Sequence, residues 1–215
     1  MYKIGYIDDH PTQYDNYRKK IQRRFPNVDL VLFDNCKTKE EFLAKIYEEQ
    51  AEVLLIDYKM AGTFGFNGST LISYINDQMR DLECFILTGV EQDKVDDGLV
   101  AERNRYSKEI FDTEGDDEKK IEKFCQFINV LIQSADVFRK RQEQKKEQYL
   151  KLFEGRKQGK LSLKEEEEYL RLYKVLSSYG MIESLPGGFL TMEFEEQLNH
   201  LLKVGDAILE KYKKE

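Results

Sequence analysis

Glu52-Val53-Leu54-Leu55-Ile56-Asp57-Tyr58-Lys59-Met60 is the stretch whose reading decides the fold. Its four consecutive apolar residues, mostly branched, read as a strand buried on both faces, as in the interior of a parallel sheet. An aspartate stands where that strand ends. Ligands of such sheets bind at the carboxyl edge. Asp57 is therefore either a turn or helix-capping aspartate, the common use of this residue, or a carboxylate presented at an active edge. The neighbouring segments decide between the two.

Upstream, Lys3-Ile4-Gly5-Tyr6-Ile7 reads as a short strand that runs into Asp8, Asp9, His10 and Pro11. The early proline suits a helix start, and Tyr14, Tyr17, Ile21 and Phe25 then recur at helical spacing. Asp29 to Phe33 predicts a second strand. Thr38 and Glu41 form a capping box, and Phe42, Leu43, Ile46 and Tyr47 give the helix behind it one apolar face. Downstream, a glycine-rich loop (Gly62, Gly65, Gly68) precedes a helix marked by Leu71, Ile72, Ile75 and Met79. Leu82 to Leu87 predicts a fourth strand, ending at Thr88-Gly89. Residues 90–105 are polar, with Val95, Leu99 and Val100 as anchors of a short helix. Lys108 to Asp112 reads as a fifth strand. Ile121, Phe124, Cys125, Ile128, Leu131, Ile132 and Ala135 define a strongly periodic fifth helix. Strands alternating with helices in this way imply a parallel sheet with helices on both faces.

The strand ends carry the functional argument. Asp8 and Asp9 end the first strand, Asp57 the third and Thr88 the fourth, so these side chains share one sheet edge if those strands are neighbours. Three carboxylates so close repel one another, and a dication relieves the repulsion. Magnesium, which prefers carboxylate and water oxygens, is the natural candidate. A carboxylate beside it can attack a phosphoryl group and form an acyl phosphate, with a hydroxyl such as that of Thr88 donating to a phosphoryl oxygen.

On these motifs residues 1–135 resemble the receiver domain of two-component response regulators. Tyr6-Ile7-Asp8-Asp9-His10-Pro11 looks like the acidic pair after strand one, Leu55-Ile56-Asp57-Tyr58-Lys59-Met60 like the phospho-acceptor motif, and Leu87-Thr88-Gly89 like the switch-hydroxyl motif. The resemblance implies a flavodoxin-like, doubly wound five-stranded parallel α/β sheet of order 2-1-3-4-5. It implies Asp57 as phospho-acceptor, Asp9 and Asp57 as direct Mg2+ ligands, Asp8 acting through water, and the Lys59 backbone carbonyl as a further ligand. A histidine kinase or phosphotransfer protein would supply the phosphoryl group, and no substrate turnover is expected. The sequence departs from the family in three places. Ala61 stands where a proline is usual, and Gly68 best matches the expected glycine, which makes that loop longer than usual. The lysine that pairs with the phosphoryl group is either Lys108 or, if Phe111 is the strand aromatic, replaced by Thr113 or Glu114.

Bulk properties fit this reading. The chain has 215 residues, 40% hydrophobic and 12% aromatic, enough for a real core. Three cysteines without CxxC spacing argue against a disulfide framework and a zinc site. No apolar signal region or bilayer-length stretch is present, so no membrane association and a cytoplasmic location are expected. Residues 1–135 carry 18 Lys+Arg against 26 Asp+Glu, whereas 136–215 carry 16 against 15. The acidic part repels nucleic acid, and the near-neutral part lacks the basic footprint of a DNA-binding effector.

Residues 136–215 read as an α-helical interaction or dimerisation module. Arg139 to Gln148 is polar all round, and the fifth helix can run on through it. Tyr149, Leu150 and Phe153 restore an apolar stripe until Gly155 to Gly159. Ser162 with Glu165 forms a second capping box, opening a helix with Tyr169, Leu172, Tyr173 and Leu176 on one face; Gly180 closes it. Phe194, Leu198, Leu201, Gly205, Ile208 and Tyr212 form a short coiled-coil-like seam, suited to packing within the module or against a second copy as a homodimer. His200 and Lys203 have the spacing of a histidine phosphotransfer helix, but the usual small residue does not follow the lysine. No helix carries the basic face of a DNA-reading element. The expectation is a signalling protein that acts through a downstream protein partner. Its rivals are a phosphate-buffering relay protein without output, a degenerate receiver serving as a scaffold, and a DNA-binding regulator.

Overall fold

Val53–Asp57 forms strand β3, and every residue in it is buried. It lies at the centre of a five-stranded parallel sheet in the computed structural model, which describes residues 1–89, 98–113 and 117–182. The other strands are β1 (Tyr2–Ile7), β2 (Val28–Leu32), β4 (Glu83–Thr88) and β5 (Arg105–Ser107), in the order β2-β1-β3-β4-β5. This is the flavodoxin-like α/β arrangement. Because β1 and β4 flank β3, with Ile7 opposite Ile56 and Leu87 opposite Asp57, the ends of the three strands meet at one edge. Contacts divide the chain into two units, Met1–Gln144 and Lys145–Glu215.

Side chains alternate across the sheet with period two, so each strand feeds two cores. On one face Ile4, Tyr6, Val53, Leu55, Phe85 and Leu87 pack with Tyr17 and Ile21 of helix α1 (Tyr14–Arg24) and with Phe124, Phe127, Ile128 and Leu131 of helix α5 (Glu118–Lys157). Leu54 and Ile56 occupy the alternate positions of β3 and are fully buried, as are Phe42 and Ile46 of helix α2 (Lys39–Glu49) and Leu71 and Ile75 of helix α4 (Gly68–Gln78). Burial of each such side chain contributes about 1.5–3 kcal/mol, which is why the apolar run at 53–56 so strongly specifies a central strand.

Local signals act where the sequence places them. Thr38 Oγ1 accepts from the Glu41 N–H and the Glu41 carboxylate accepts from the Thr38 N–H, closing the capping box of α2. The glycine-rich loop holds an additional short helical turn, α3 (Ala61–Phe64), which ends at Gly65 with φ +77°. At Gly68 a Cβ would lie 2.1 Å from the Asp57 carbonyl oxygen, so only glycine lets α4 begin this close to the end of β3.

The fifth strand is corrected. It comprises Arg105–Ser107 instead of Lys108 to Asp112, and Lys108–Phe111 forms a 3-10 turn capped by the Ser107 side chain. The strand is short and half-buried at the sheet edge, so it lacks the apolar run that marks interior strands. Phe111 is buried nonetheless, stacked on Tyr17 at 4.1 Å and edge-on to Phe124 and Phe127. Its apolarity serves the core beside α1 and α5, and Tyr106 is the strand aromatic, 4.5 Å from Phe127. Of the helix expected over 90–105, Val95 lies outside the described residues, Leu99 is exposed, Val100 is buried and Glu102–Asn104 forms a 3-10 turn.

Helix α5 continues past Ala135 through the polar run at 139–148 to Lys157. Near the start of β1, Arg139 chelates Glu52 at 2.5 and 2.9 Å and lies over the Tyr2 ring, whose hydroxyl donates to Asp136. Within the second unit, helix α6 (Leu163–Ser178) packs Tyr169, Leu172, Tyr173 and Leu176 with Tyr149. The Glu165 carboxylate accepts from the Ser162 N–H and hydroxyl at its start, and Gly180 follows its end at φ +65°. Arg156 pairs with Glu166 and covers the Tyr169 ring. The expected seam from Phe194 to Tyr212, with His200 and Lys203, lies outside the described residues. No helix among the described residues is long and apolar enough to cross a membrane.

Candidate functional site

Asp8, Asp9 and Asp57 each present a carboxylate oxygen such that all three lie within 4.8 Å of one another. Asp57 is the last residue of β3, and Asp8 and Asp9 follow the end of β1. Asp8 and Asp57 are buried, and the Asp9 side chain is 10% exposed. Such crowding of like charge is costly in a partly desolvated site unless cations or donors offset it.

Lys108 provides the first offset. Its Nζ lies 2.7 Å from Asp8 Oδ2 and 2.8 Å from Asp57 Oδ1. Strand β5 ends at Ser107, paired with Thr88 of β4, and so delivers the next residue to the same edge as Asp57. Of the alternative positions for this lysine, Thr113 follows the 3-10 turn, and Glu114 lies outside the described residues.

Backbone and side-chain donors complete the cage. The Lys59 N–H donates to Asp57 Oδ2 at 2.7 Å and the His10 N–H to Asp8 Oδ1 at 2.8 Å. The Tyr6 hydroxyl donates to Asp8 Oδ2 at 2.6 Å. Asp9 Oδ2 accepts from Thr63 Oγ1 at 2.8 Å and lies 3.1 Å from His10 Nδ1. Thr88 is buried at the end of β4, one residue past the Leu87–Asp57 pair.

The two buried carboxyls are tuned in opposite directions. Burial pushes the Asp57 carboxyl above its usual range, with the Asp8 charge adding to the shift and Lys108 opposing it. Burial acts the same way on Asp8, but hydrogen bonds from Lys108, Tyr6 and the His10 amide outweigh it and hold Asp8 below the usual range. Burial also disfavours the Lys108 ammonium, yet its contacts with Asp57 and Asp8 raise it above an ordinary lysine. Tyr6 is raised strongly by burial and by Asp8, so its hydroxyl stays a proton donor.

Strand-end reasoning locates Asp8, Asp9, Asp57 and Thr88 at this edge. It misses Tyr6 and Thr63. Tyr6 was legible in principle, because residues two apart on a strand share a face, so a tyrosine at 6 lies beneath an aspartate at 8. Thr63 had no such signal, since its position depends on how the long loop folds. The donor set suits a hard dication: the cluster consists of three carboxylates, with no thiol among them.

No protein-family model matches the chain, and a search of the curated proteins finds no match. Among solved structures, a DNA-interacting RcsB response regulator of Salmonella typhimurium is similar at 15% identity and a TM-score of 0.46, over 85% of this chain and 94% of that one.

Proposed function

We propose that the chain is a receiver-type signalling protein that accepts a phosphoryl group on Asp57 from a histidine kinase or phosphotransfer protein. The observation that carries this reading is the Lys108 ammonium bridging Asp57 and Asp8 beside Asp9, at the sheet edge that also carries Thr88. An Asp57 oxygen attacks phosphorus, the bond from phosphorus to the donor nitrogen breaks, and the imidazole departs, leaving an acyl phosphate. Asp8, Asp9, Asp57 and the Lys59 carbonyl would hold Mg2+, which supplies charge neutralisation for the transferring group. Lys108 moves from the carboxylate to the phosphoryl oxygens, and the Thr88 hydroxyl donates to one of them. The protein modifies itself once and turns over no substrate. The altered edge then acts through protein contacts, and the helical second unit is the output module or homodimer contact.

The test is intact-mass measurement after incubation with a small phosphodonor and magnesium. Wild type should gain one phosphoryl group and Asp57→Asn none. Absence of the gain in wild type, or equal labelling of the variant, overturns the proposal.

A further inference from the structure

We infer that Thr63, carried on the short helical turn α3, is a positioning residue for the metal ligand Asp9 and sets the magnesium affinity of the site. The inference rests on the reading of Asp8, Asp9 and Asp57 as a magnesium centre and assigns the long loop after the acceptor strand a task within it.

The turn is fixed at both ends. Met60, just before it, is fully buried, and the Phe64 amide donates to the Met60 carbonyl at 2.9 Å. At its far end the Phe64 ring packs edge-on against Phe42 of α2 at 5.4 Å and stacks with Phe66 at 6.0 Å. Lys39 lies over the Phe66 ring and so adds a further contact from α2. Thr63 is exposed between these anchors, and its Oγ1 reaches across 54 positions of sequence to Asp9 Oδ2.

Asp9 is the least buried of the three carboxylates, its side chain 10% exposed against 7% for Asp57 and 3% for Asp8. A hydroxyl on a braced turn that donates to Oδ2 fixes the plane of the carboxylate and leaves Oδ1 to face a cation. Hydrogen bonds that orient a ligating carboxylate are worth about tenfold or more in metal affinity when removed. His10 approaches the same Oδ2, but its side chain is 78% exposed and has no comparable brace.

The experiment is calorimetric titration of magnesium chloride into the unphosphorylated full chain. Thr63→Val removes the donor at constant shape and should weaken binding about tenfold, whereas Thr63→Ser, which keeps the hydroxyl, should restore it to within about twofold. Melting midpoints in chelator should be the same for all three proteins, which separates positioning from folding. If Thr63→Val shifts the midpoint, Thr63→Ala is compared with Thr63→Ser instead. Wild-type affinity in the variants lacking the hydroxyl, alongside loss of binding in Asp57→Asn, overturns the role of Thr63 and leaves the metal centre standing. Absence of binding by wild type overturns both.

Discussion

At the residue scale, Lys108 Nζ touches two carboxylates at once, so its removal strands charge on both. A fully buried pair broken from one side costs about 3–5 kcal/mol, and the partial exposure of this lysine reduces that to about 1–3 kcal/mol. Lys108→Met should lower the chemical-denaturation midpoint accordingly in chelator, and magnesium should recover more stability in the variant than in wild type. Equal stability of the two proteins in chelator would show that the ammonium is not a structural counterion. The identity of this lysine was only half legible in the sequence. Lys108 stood in view, but Ile110 and Phe111 made 108–112 look like a strand, and that reading moved the lysine position onto Thr113 or Glu114. Three-dimensional packing resolves the conflict: Phe111 is apolar because it sits on Tyr17, not because it lies in the sheet.

At the scale of elements, interior pieces of the fold were legible and edge pieces were not. β3 announces itself because both its faces are covered, and the capping boxes at Thr38 and Ser162 mark helix starts through purely local chemistry. β5 consists of Arg105, Tyr106 and Ser107, has only three residues and pairs on one side, so no hydrophobic period reveals it. α3 has four residues and no apolar repeat, and its position follows from anchoring by Phe64 and Phe66. The junction of β3 and α4 admits a direct test. Gly68 donates its N–H to the Tyr58 carbonyl at 3.0 Å and leaves no room for a methyl group against Asp57. Gly68→Ala should cost about 1–3 kcal/mol through forced displacement of the strand end, and it should weaken magnesium binding because Asp57 moves with it. Urea unfolding and the calorimetric titration together read this; an alanine variant matching wild type in both would mean that the junction relaxes freely.

At the scale of the whole molecule, binding to the folded site alone couples metal concentration to stability. A hundredfold excess of ligand over its dissociation constant adds about 2.7 kcal/mol to the unfolding free energy. Magnesium should therefore raise the melting midpoint of the first unit in a concentration-dependent manner, and the rise should vanish in Asp57→Asn. A scan in which both proteins respond equally would place the ion elsewhere. Lys108 gives this coupling a further property. Three carboxylates and one ammonium leave two negative charges uncompensated in a space a few ångströms across. A monovalent ion leaves such a well anionic and a trivalent one inverts its sign, whereas a divalent ion brings it to neutrality. Discrimination among cations at such a site would thus begin with valence, set by a single lysine, before ionic radius or coordination number enters.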